Sequence, residues 1–559
     1  MIATIAVVLL AILVLARARH RAPSPGAGTT VRRFFQYLLL VAMEGVLAVG
    51  ATGVLTRLLD RTSLAVDDRV GLARDLAFIV VGAPTLVLLA VLTRRQLRAD
   101  PQEARSTAWA LALGAVELTA AVVTMQGLQD LLLWLFGGAT LDAGAGARVL
   151  VWGALWAAQV RLDARTRTVG EPRPHRLAVA VLALWTAASG LASLVAAAVE
   201  GLLPHALLAD VGTPAALRAL AALLVGTSVW GLLWRSALRV PPVTVAGRAY
   251  LVVAGVGGGT IAAVVGAAVV LDRLLVWWIG TPSSIDLMDT VRESASAIGA
   301  LVAGLVVRQV HVTLLARTGG PRRDEPQRIA DYATTGIALA AIGAAGVVLT
   351  AALLETVTQG LALAGPPARN TLLLACTLLL VGGPLWAVRW QGIRAAVAAD
   401  PVGERASVAR RVLLVVLFGV VGLAAVGALI VAVAFTFDDL VSGRLGLGTL
   451  RRVRWAMGVV VSGGVVAAAH WRVFRADRAV SPSPPTRQVL LVGPMDATAL
   501  AALTGRLHAH IDLVPTAEPA PGWDVDAIAT AIEAQQATDV VVVPGADGPQ
   551  VLTRGRASA

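Results

Sequence analysis

The sequence contains no lysine, a single cysteine and little charge of either sign. All 47 basic residues are arginine, and charged residues make up only 15% of the 559 residues. One cysteine, Cys376, excludes a disulfide within the chain, a thiolate metal site and a CxxC redox pair. So little charge, beside 57% hydrophobic residues, excludes an ordinary soluble protein of this length.

Apolar runs, by contrast, recur along nearly the whole chain. Each is about 20 residues long, which a helix needs to cross a hydrocarbon core of about 30 Å. The runs are continuous and do not alternate, so helices are predicted rather than a β-barrel. The net charge of +12 comes from arginines in short loops beside these runs, where membrane topology explains them. The predicted partner is therefore the lipid bilayer, and no nucleic-acid partner is predicted.

A unit of two helices recurs from Arg32 onward, with a period of about 70 to 83 residues. Six copies can be aligned, which predicts six tandem helical hairpins. The first helix of each copy ends at an acid, and these outer acidic helix ends are Asp60, Asp130, Glu200, Asp272, Glu355 and Asp438. The second helix carries a glycine at a matching place, and these glycines are Gly82, Gly153, Gly226, Gly304, Gly382 and Gly463.

Arginine placement predicts the orientation of the hairpins. The loops between hairpins hold about 26 Arg against about 12 in the loops inside them, so the joints are predicted to be cytoplasmic. Residues 2 to 16 form a further apolar segment, followed by Arg17. We interpret it as an uncleaved span with its N-terminus outside, although its length also leaves a cleaved segment open. About 13 transmembrane helices are thus predicted.

The joints between hairpins carry their own local signals. Asp100, Pro101 and Glu103 form the pattern of a helix N-cap with a capping box, which predicts that the next helix begins there. The stretch from Leu378 to Arg411 contains a similar joint. The only three tyrosines lie just inside the start of a first helix, which predicts positions at the membrane interface. They are Tyr37, Tyr250 and Tyr332.

The composition changes at a Pro- and Ser-rich linker, and a small α/β domain is predicted after it. Alternating strands and helices indicate a mostly parallel sheet, and the basic flank predicts a cytoplasmic domain. The predicted strands are 488–492, 511–514, 539–543 and 550–553, and the predicted helices are 497–507 and 525–535. His508 and His510 share a spacing typical of one strand face, but no further ligand completes a metal site.

Two pieces of the chain carry a family resemblance. The segment Val31 to Tyr37 reads VRRFFQY, and residues 381–411 contain VGGPLWAVRW and GERASVARR. They resemble a family of bacterial multi-pass membrane proteins known as a domain of unknown function. The resemblance implies four-helix units with an Arg-aromatic start, a Gly-x-Pro-x-Trp helix and a Glu-Arg-Ser loop. It implies three such units over residues 31 to about 475, the inner membrane of a bacterial cell, and no activity or site residue.

Glu44 and Glu117 are the strongest candidates for chemistry. Each lies about 16 to 18 Å past the basic start of its helix, near the middle of the bilayer. Such a carboxyl group faces protein or water and suggests an ion or proton path. The alternative is a carboxylate that is protonated or paired with arginine and only fixes helix packing. The six outer acids likewise suggest either a cation-concentrating ring or, with an Arg neighbour, a structural role.

Another polar group lies near one helix end. Arg308, Gln309 and His311 suggest either contact with an anionic ligand or side chains that extend to the interface. No catalytic set, metal site or cofactor motif is found along the chain, so we expect no enzyme and no cofactor.

The prediction is an all-α polytopic membrane protein with a small C-terminal cytoplasmic α/β domain. Its expected function is that of a non-enzymatic scaffold or signal-coupled module, with residues 488–559 as the contact for a cytoplasmic protein. The alternative is a transporter or channel that uses Glu44 and Glu117. Oligomeric state is not predicted. The predicted segments are 1–30 (anchor and basic linker), 31–170, 171–320 and 321–478 (two hairpins each), 479–487 (linker) and 488–559 (α/β domain).

Overall fold

Long helices account for most of the structure. The computed structural model describes residues 27–60, 69–100, 103–166, 174–203, 212–234, 245–318, 325–358, 368–478, 488–493, 497–507, 509–514, 524–535, 539–545 and 548–553. The membrane-helix region and the C-terminal region form two separate compact units. The predicted N-terminal span at residues 2 to 16 lies outside the described residues.

The described helices form six hairpins, as predicted. Hairpin 1 is α1 (Ala27–Leu59) and α2 (Arg69–Ala99), hairpin 2 is α3 (Thr107–Leu135) and α4 (Ala143–Thr166), and hairpin 3 is α5 (Pro174–Leu202) and α6 (Gly212–Leu233). Hairpin 4 pairs a helix in three parts, α7 (Val245–Tyr250), a π-helix (Leu251–Gly257) and α8 (Gly258–Trp278), with α9 (Leu287–Thr318). Hairpin 5 is α10 (Glu325–Val357) and α11 (Ala368–Ala399). After the short α12 (Pro401–Ala406), hairpin 6 is α13 (Val408–Val441) and α14 (Leu447–Arg478).

Eleven of these helices, counting the three-part helix as one, are long and apolar enough to cross a membrane within the described residues. The twelfth, α4, has 24 residues but carries Arg148, Arg161, Asp163 and Arg165. The all-helical multi-pass architecture is therefore confirmed.

The hairpins lie in a row. Among the described helices, the substantial contacts between hairpins join consecutive ones: α1 with α3 and α4, α3 with α5 and α6, α5 with α9, α8 with α11, and α10 with α13. Each hairpin adds two antiparallel helices, so the loops between hairpins share one side, here named the joint side. The loops inside the hairpins share the other, here named the tip side.

The six matching glycines all face the first helix of their own hairpin. A Cβ atom at Gly226 would lie 2.4 Å from the backbone nitrogen of Ala187, whereas one at Gly153 would lie 3.6 Å from Thr124, an ordinary contact. The other four approach Leu47, Ala263, Ala341 and Val421. At Gly226, and likewise at Gly304, the missing side chain thus lets the two helix backbones come close, as in other membrane helix pairs.

We expect Gly226→Ala to destabilise the protein by about 1 to 3 kcal/mol, since the α5 backbone leaves no room for a methyl group. The matched substitution Gly153→Ala should change stability by less than about 0.5 kcal/mol. Thermal unfolding of both variants in the same detergent, followed by tryptophan fluorescence, checks this. Equal losses of stability at the two positions would contradict the close-contact explanation.

The first joint departs from the sequence prediction. Helix α3 does not begin at Asp100 but at Thr107, where the Ser106 hydroxyl accepts a hydrogen bond from the backbone N–H of Trp109. Glu103 begins a short 3-10 turn instead. The capping-box prediction was wrong here because the Glu103 carboxylate has partners about 70 residues earlier in the chain, which a local pattern does not contain.

The C-terminal domain has the predicted α/β architecture. Its strands are β1 (Gln488–Val492), β2 (His510–Val514), β3 (Asp539–Gly545) and β4 (Gly548–Thr553), and its helices are α15 (Ala497–Leu507) and α16 (Val525–Glu533). The sheet order is β2-β1-β3-β4, with β1 parallel to β2 and β3, and β4 antiparallel to β3. Val489, Leu491, Leu503, Ile528 and Ile532 form its buried core.

Candidate functional site

The buried carboxylate of Glu103 connects the first joint, between hairpins 1 and 2, to the start of hairpin 1. Glu103 is 1% exposed. Its carboxylate accepts hydrogen bonds from Arg33 Nε at 2.9 Å and the Tyr37 hydroxyl at 2.8 Å, and pairs with Arg32 at 3.2 Å. The ring of Tyr37 packs against Trp109, with ring centroids 5.3 Å apart. We name Arg32, Arg33, Tyr37 and Glu103 the first joint cluster.

Hairpins 5 and 6 repeat this arrangement with one exchange of partners. Glu404 is 1% exposed and accepts a hydrogen bond from Arg328 Nε at 2.9 Å. Tyr332 now accepts a hydrogen bond from Arg410 Nη1 at 3.3 Å. Arg410 stands three residues after the helix-capping Ser407, as Trp109 does after Ser106. Arg328, Tyr332, Glu404 and Arg410 form the second joint cluster, which fixes the same joint in the third pair of hairpins.

The three tyrosines are buried against protein and do not face lipid, while their predicted depth at the membrane interface stays a prediction. Tyr37, Tyr250 and Tyr332 are each no more than 5% exposed. Each hydroxyl has a protein partner, and a buried hydroxyl without one would be costly. The third, Tyr250, accepts a hydrogen bond from Trp230 Nε1 at 2.6 Å.

The first joint cluster predicts a loss of stability in acid. Burial alone would raise the pKa of Glu103, but hydrogen bonds from Arg33 and Tyr37 and the charges of both arginines outweigh it, and the pKa falls below its ordinary 4.5. The stabilisation is therefore present above the unfolded-state pKa and disappears as pH falls through the lower folded-state value. Melting temperatures between pH 7 and pH 3 should fall less steeply for Glu103→Gln than for the unmodified protein. Parallel pH profiles would contradict this.

The structure brings Glu44 and Glu117 to the same helix. Glu44 on α1 accepts a hydrogen bond from Gln159 Nε2 at 2.7 Å. Glu117 on α3 lies 3.2 Å from His175 Nε2, which lies 3.7 Å from Asp163. Gln159 and Asp163 are four residues apart on α4 and so share one face. The two predicted carboxyl groups thus approach α4 one helical turn apart.

Arg176 adds a positive charge to this group of side chains. We define the polar core as Glu44, Glu117, Gln159, Asp163, His175 and Arg176. Arg176 Nη2 lies 3.1 Å from Asp163, and both residues are at most 6% exposed. Pro174 at the first position of α5 starts the helix beside these partners. Gly114 on α3 leaves space for His175, since a Cβ there would lie 3.1 Å from the His175 Cβ. Hairpins 1, 2 and 3 all contribute to the core.

The charges of the polar core determine what it can do. Around His175 lie the carboxyl groups of Glu117 and Asp163 and the guanidinium of Arg176. Buried charged groups are costly unless they are paired, so this arrangement can fix α3, α4 and α5 relative to one another. His175 and Glu117 are nearly inaccessible, at 6% and 1% exposure. In the described part of the chain, no group of three or more His, Cys, Asp or Glu is placed to hold a metal.

Sequence reasoning missed most of these partners. The sequence patterns predict no functional role for Asp163, His175, Arg176 or Glu404. They predict Glu103 only as a capping residue. A usable signal existed in the matching Asp-Pro joints, where Glu follows two or three residues after each proline. No comparable signal marked His175, since its partners belong to two other helices.

The six outer acids lie at helix ends on the tip side, and two of them pair with an arginine across their own hairpin. Arg148 at the start of α4 contacts Asp130 at 2.8 Å, and Arg452 at the start of α14 contacts Asp438 at 2.7 Å. Glu200 is exposed, and Asp272 and Glu355 are half-buried, as is Asp60. Paired acids favour the structural explanation for those two positions, and the cation-concentrating ring stays a hypothesis.

His311 does not extend to the interface. It is fully buried, its Nδ1 donates to the Val307 carbonyl oxygen at 2.8 Å, and its ring lies 5.7 Å from Trp230 and 5.8 Å from Tyr250. Gly255 in the π-helix makes room for it, because a Cβ there would lie 2.1 Å from the imidazole. Nε2 has no hydrogen-bond partner among the described residues. The histidine therefore belongs to the packed centre of hairpins 3 and 4.

The described residues of the C-terminal domain add no candidate site. His508 lies outside the described residues, and His510 begins β2, the edge strand that pairs with β1.

Comparison with known proteins agrees with the hairpin architecture. No match is found among curated proteins or among solved structures. A family model, that of the domain of unknown function DUF5671, matches three successive segments, residues 33–160, 173–306 and 328–447. Each segment begins at the first helix of an odd-numbered hairpin, and the C-terminal α/β domain lies outside all three. Together they cover more than half of the chain, which therefore belongs to the DUF5671 family.

Proposed function

We propose that this protein is a non-enzymatic membrane scaffold, in which the row of hairpins carries the C-terminal α/β domain as the contact for a cytoplasmic protein. The observation that supports this is the use of buried charge. Glu103, Glu404 and Asp163 each pair with an arginine of another helix. Such pairs fix helices relative to one another, and a fixed frame suits a scaffold.

The experiment compares the partners of the full chain with those of a chain that ends at Arg478. Both are expressed in a bacterial cell and cross-linked in place, and the linked proteins are identified by mass spectrometry. Loss of a defined cytoplasmic partner with the truncated chain, at equal membrane abundance, is the expected result. An unchanged set of partners would overturn the proposed role of the α/β domain.

The proposal includes an orientation in the inner membrane of a bacterial cell, with the joint side and the α/β domain cytoplasmic and the N-terminus outside. It rests on the excess of arginine in the loops between hairpins. A reporter protein that is active only in the cytoplasm should be active when it is fused after Arg394. An inactive fusion would reverse the orientation.

Proton-coupled transport is the second candidate, and one observation favours it. Glu44 bonds to Gln159 on α4, and Glu117 lies beside His175, which is 3.7 Å from Asp163, one turn further along α4. Buried carboxyl groups in membrane helices often form proton relays. Vesicles loaded with a pH-sensitive dye should then show a proton flux that Glu44→Gln and Glu117→Gln abolish and Glu200→Gln, at an exposed helix end, preserves. Equal behaviour of all samples would eliminate transport.

A further inference from the structure

An apolar crevice opens between hairpins 5 and 6. It has a volume of about 670 Å³ and is walled by α10, α13 and α14. Val412, Val416 and Val420 line it and are 51 to 62% exposed, so the crevice opens sideways to the surroundings of the helices. In a membrane those surroundings are lipid.

The walls offer almost no polar group to an occupant. Of the polar side chains that line the crevice, Ser462 donates its hydroxyl to the Gly343 carbonyl oxygen at 2.7 Å. Tyr332 is engaged by Arg410 in the second joint cluster. A polar ligand would lose its hydration without gaining partners, whereas a hydrocarbon would contact valine, leucine and alanine throughout.

The length of the crevice favours an extended apolar occupant. The lining runs from Ile329 to Val347 on α10 and from Val408 to Ala424 on α13, which is about 25 Å at 1.5 Å per residue. An apolar crevice of this length that opens sideways along α13 suits an extended hydrocarbon chain.

The two ends of the crevice differ. Towards the tip side, Ala432 on α13 packs against Val453 and Ala456 on α14 and closes the gap. On the joint side the lining reaches the first residues of α13. Arg411 is exposed at that end of the helix and Arg405 is partly exposed, whereas Arg410 is buried in the second joint cluster. A chain inserted from the joint side would leave its headgroup near Arg405 and Arg411, which favours a negative headgroup.

We propose that this crevice binds one acyl chain of an anionic glycerophospholipid from the joint-side leaflet. The test reconstitutes the full chain in vesicles of phosphatidylglycerol or phosphatidylcholine that contain the same lipid with a photoactivatable acyl chain. Cross-linked peptides are then mapped by mass spectrometry. Cross-links should concentrate on α10, α13 and α14 and be stronger with phosphatidylglycerol.

Two crevice-filling substitutions and one matched control decide the outcome. A Cβ at Gly343 meets no atom within 4 Å, and neither does one at Gly383 on α11, which is not a wall of the crevice. Gly343→Phe should reduce cross-linking at the crevice by at least about tenfold, because several methylene contacts are lost. Gly383→Phe should leave it unchanged. Ala344→Phe repeats the test from an exposed lining position, and thermal unfolding verifies that each variant is folded.

Three results would overturn the proposal. One is equal cross-linking of the crevice in all variants, and another is equal labelling of every lipid-facing helix. The third is a Gly343→Phe variant that loses association between two copies of the chain while its lipid cross-links persist.

Discussion

Replacing Arg176 with methionine is expected to destabilise the protein by about 3 to 5 kcal/mol, because it removes the positive charge that lies 3.1 Å from the buried carboxylate of Asp163. Asp163 is 0% exposed, so water cannot replace the guanidinium without opening the contact between α4 and α5. Thermal unfolding in detergent measures the loss.

A double substitution separates lost charge compensation from lost packing. In Arg176→Met/Asp163→Leu both charges are absent, so the double variant should be more stable than Arg176→Met alone by about 1 to 3 kcal/mol. Arg165→Met, at an exposed position near the end of α4, serves as the control and should change stability by less than about 0.5 kcal/mol. If the losses of stability from the two single substitutions simply add in the double variant, the charges of the pair contribute nothing to stability.

Glu103→Ala should have the second large effect, about 3 kcal/mol, because Arg33 and Tyr37 lose their shared acceptor inside the protein. The matched control is Asp100→Ala. Asp100 lies 3.7 Å from the same arginine, but its side chain is 51% exposed, so its loss should be below about 1 kcal/mol. Similar melting temperatures for the two variants would show that burial of Glu103 does not matter.

The second joint cluster allows the same substitution experiment at a second place in the chain. Glu404→Ala removes one acceptor of Arg328 in hairpins 5 and 6, but Glu325 Oε2 still lies 3.4 Å from the same guanidinium. Tyr332 also keeps Arg410 as a donor. We therefore expect the loss of stability at Glu404 to be smaller than at Glu103.

Buried ion pairs bear directly on the proposed scaffold. A buried pair contributes little net stability compared with apolar packing, but loss of one partner is costly. The joint clusters and the polar core thus make one arrangement of helices much more stable than alternatives with unpaired charges. A row of hairpins fixed in this way can hold an attached α/β domain, which is the property the proposal requires.

Local patterns predicted the elements well. In the C-terminal domain, β1 and α15 have the predicted bounds, and the other elements agree to within about two residues. The matching glycines also proved informative, since all six face the first helix of their own hairpin. Both successes depend on contacts within one hairpin or one βα unit, where the partner lies nearby in the chain.

Long-range partners escaped the same reasoning. The local pattern predicts a helix cap at Glu103. Its carboxylate instead accepts a hydrogen bond from Arg33, which lies 70 residues earlier, at the start of hairpin 1. Glu117 was selected for its depth, but His175 was not, because its position beside Pro174 at a helix start gave no sign of burial. The three tyrosines were placed at an interface on amphipathicity alone, and all are buried.

The sequence by itself therefore determined that the chain is a multi-pass helical membrane protein and that an α/β domain follows. Hydrophobic length and backbone hydrogen bonding decide these features residue by residue. Only the tertiary structure decided that Glu44 and Glu117 approach one face of α4, that Glu103 and Glu404 join separate helices, and that hairpins 5 and 6 leave a crevice. Such features depend on which helices become neighbours, and side-chain packing across the whole bundle determines that.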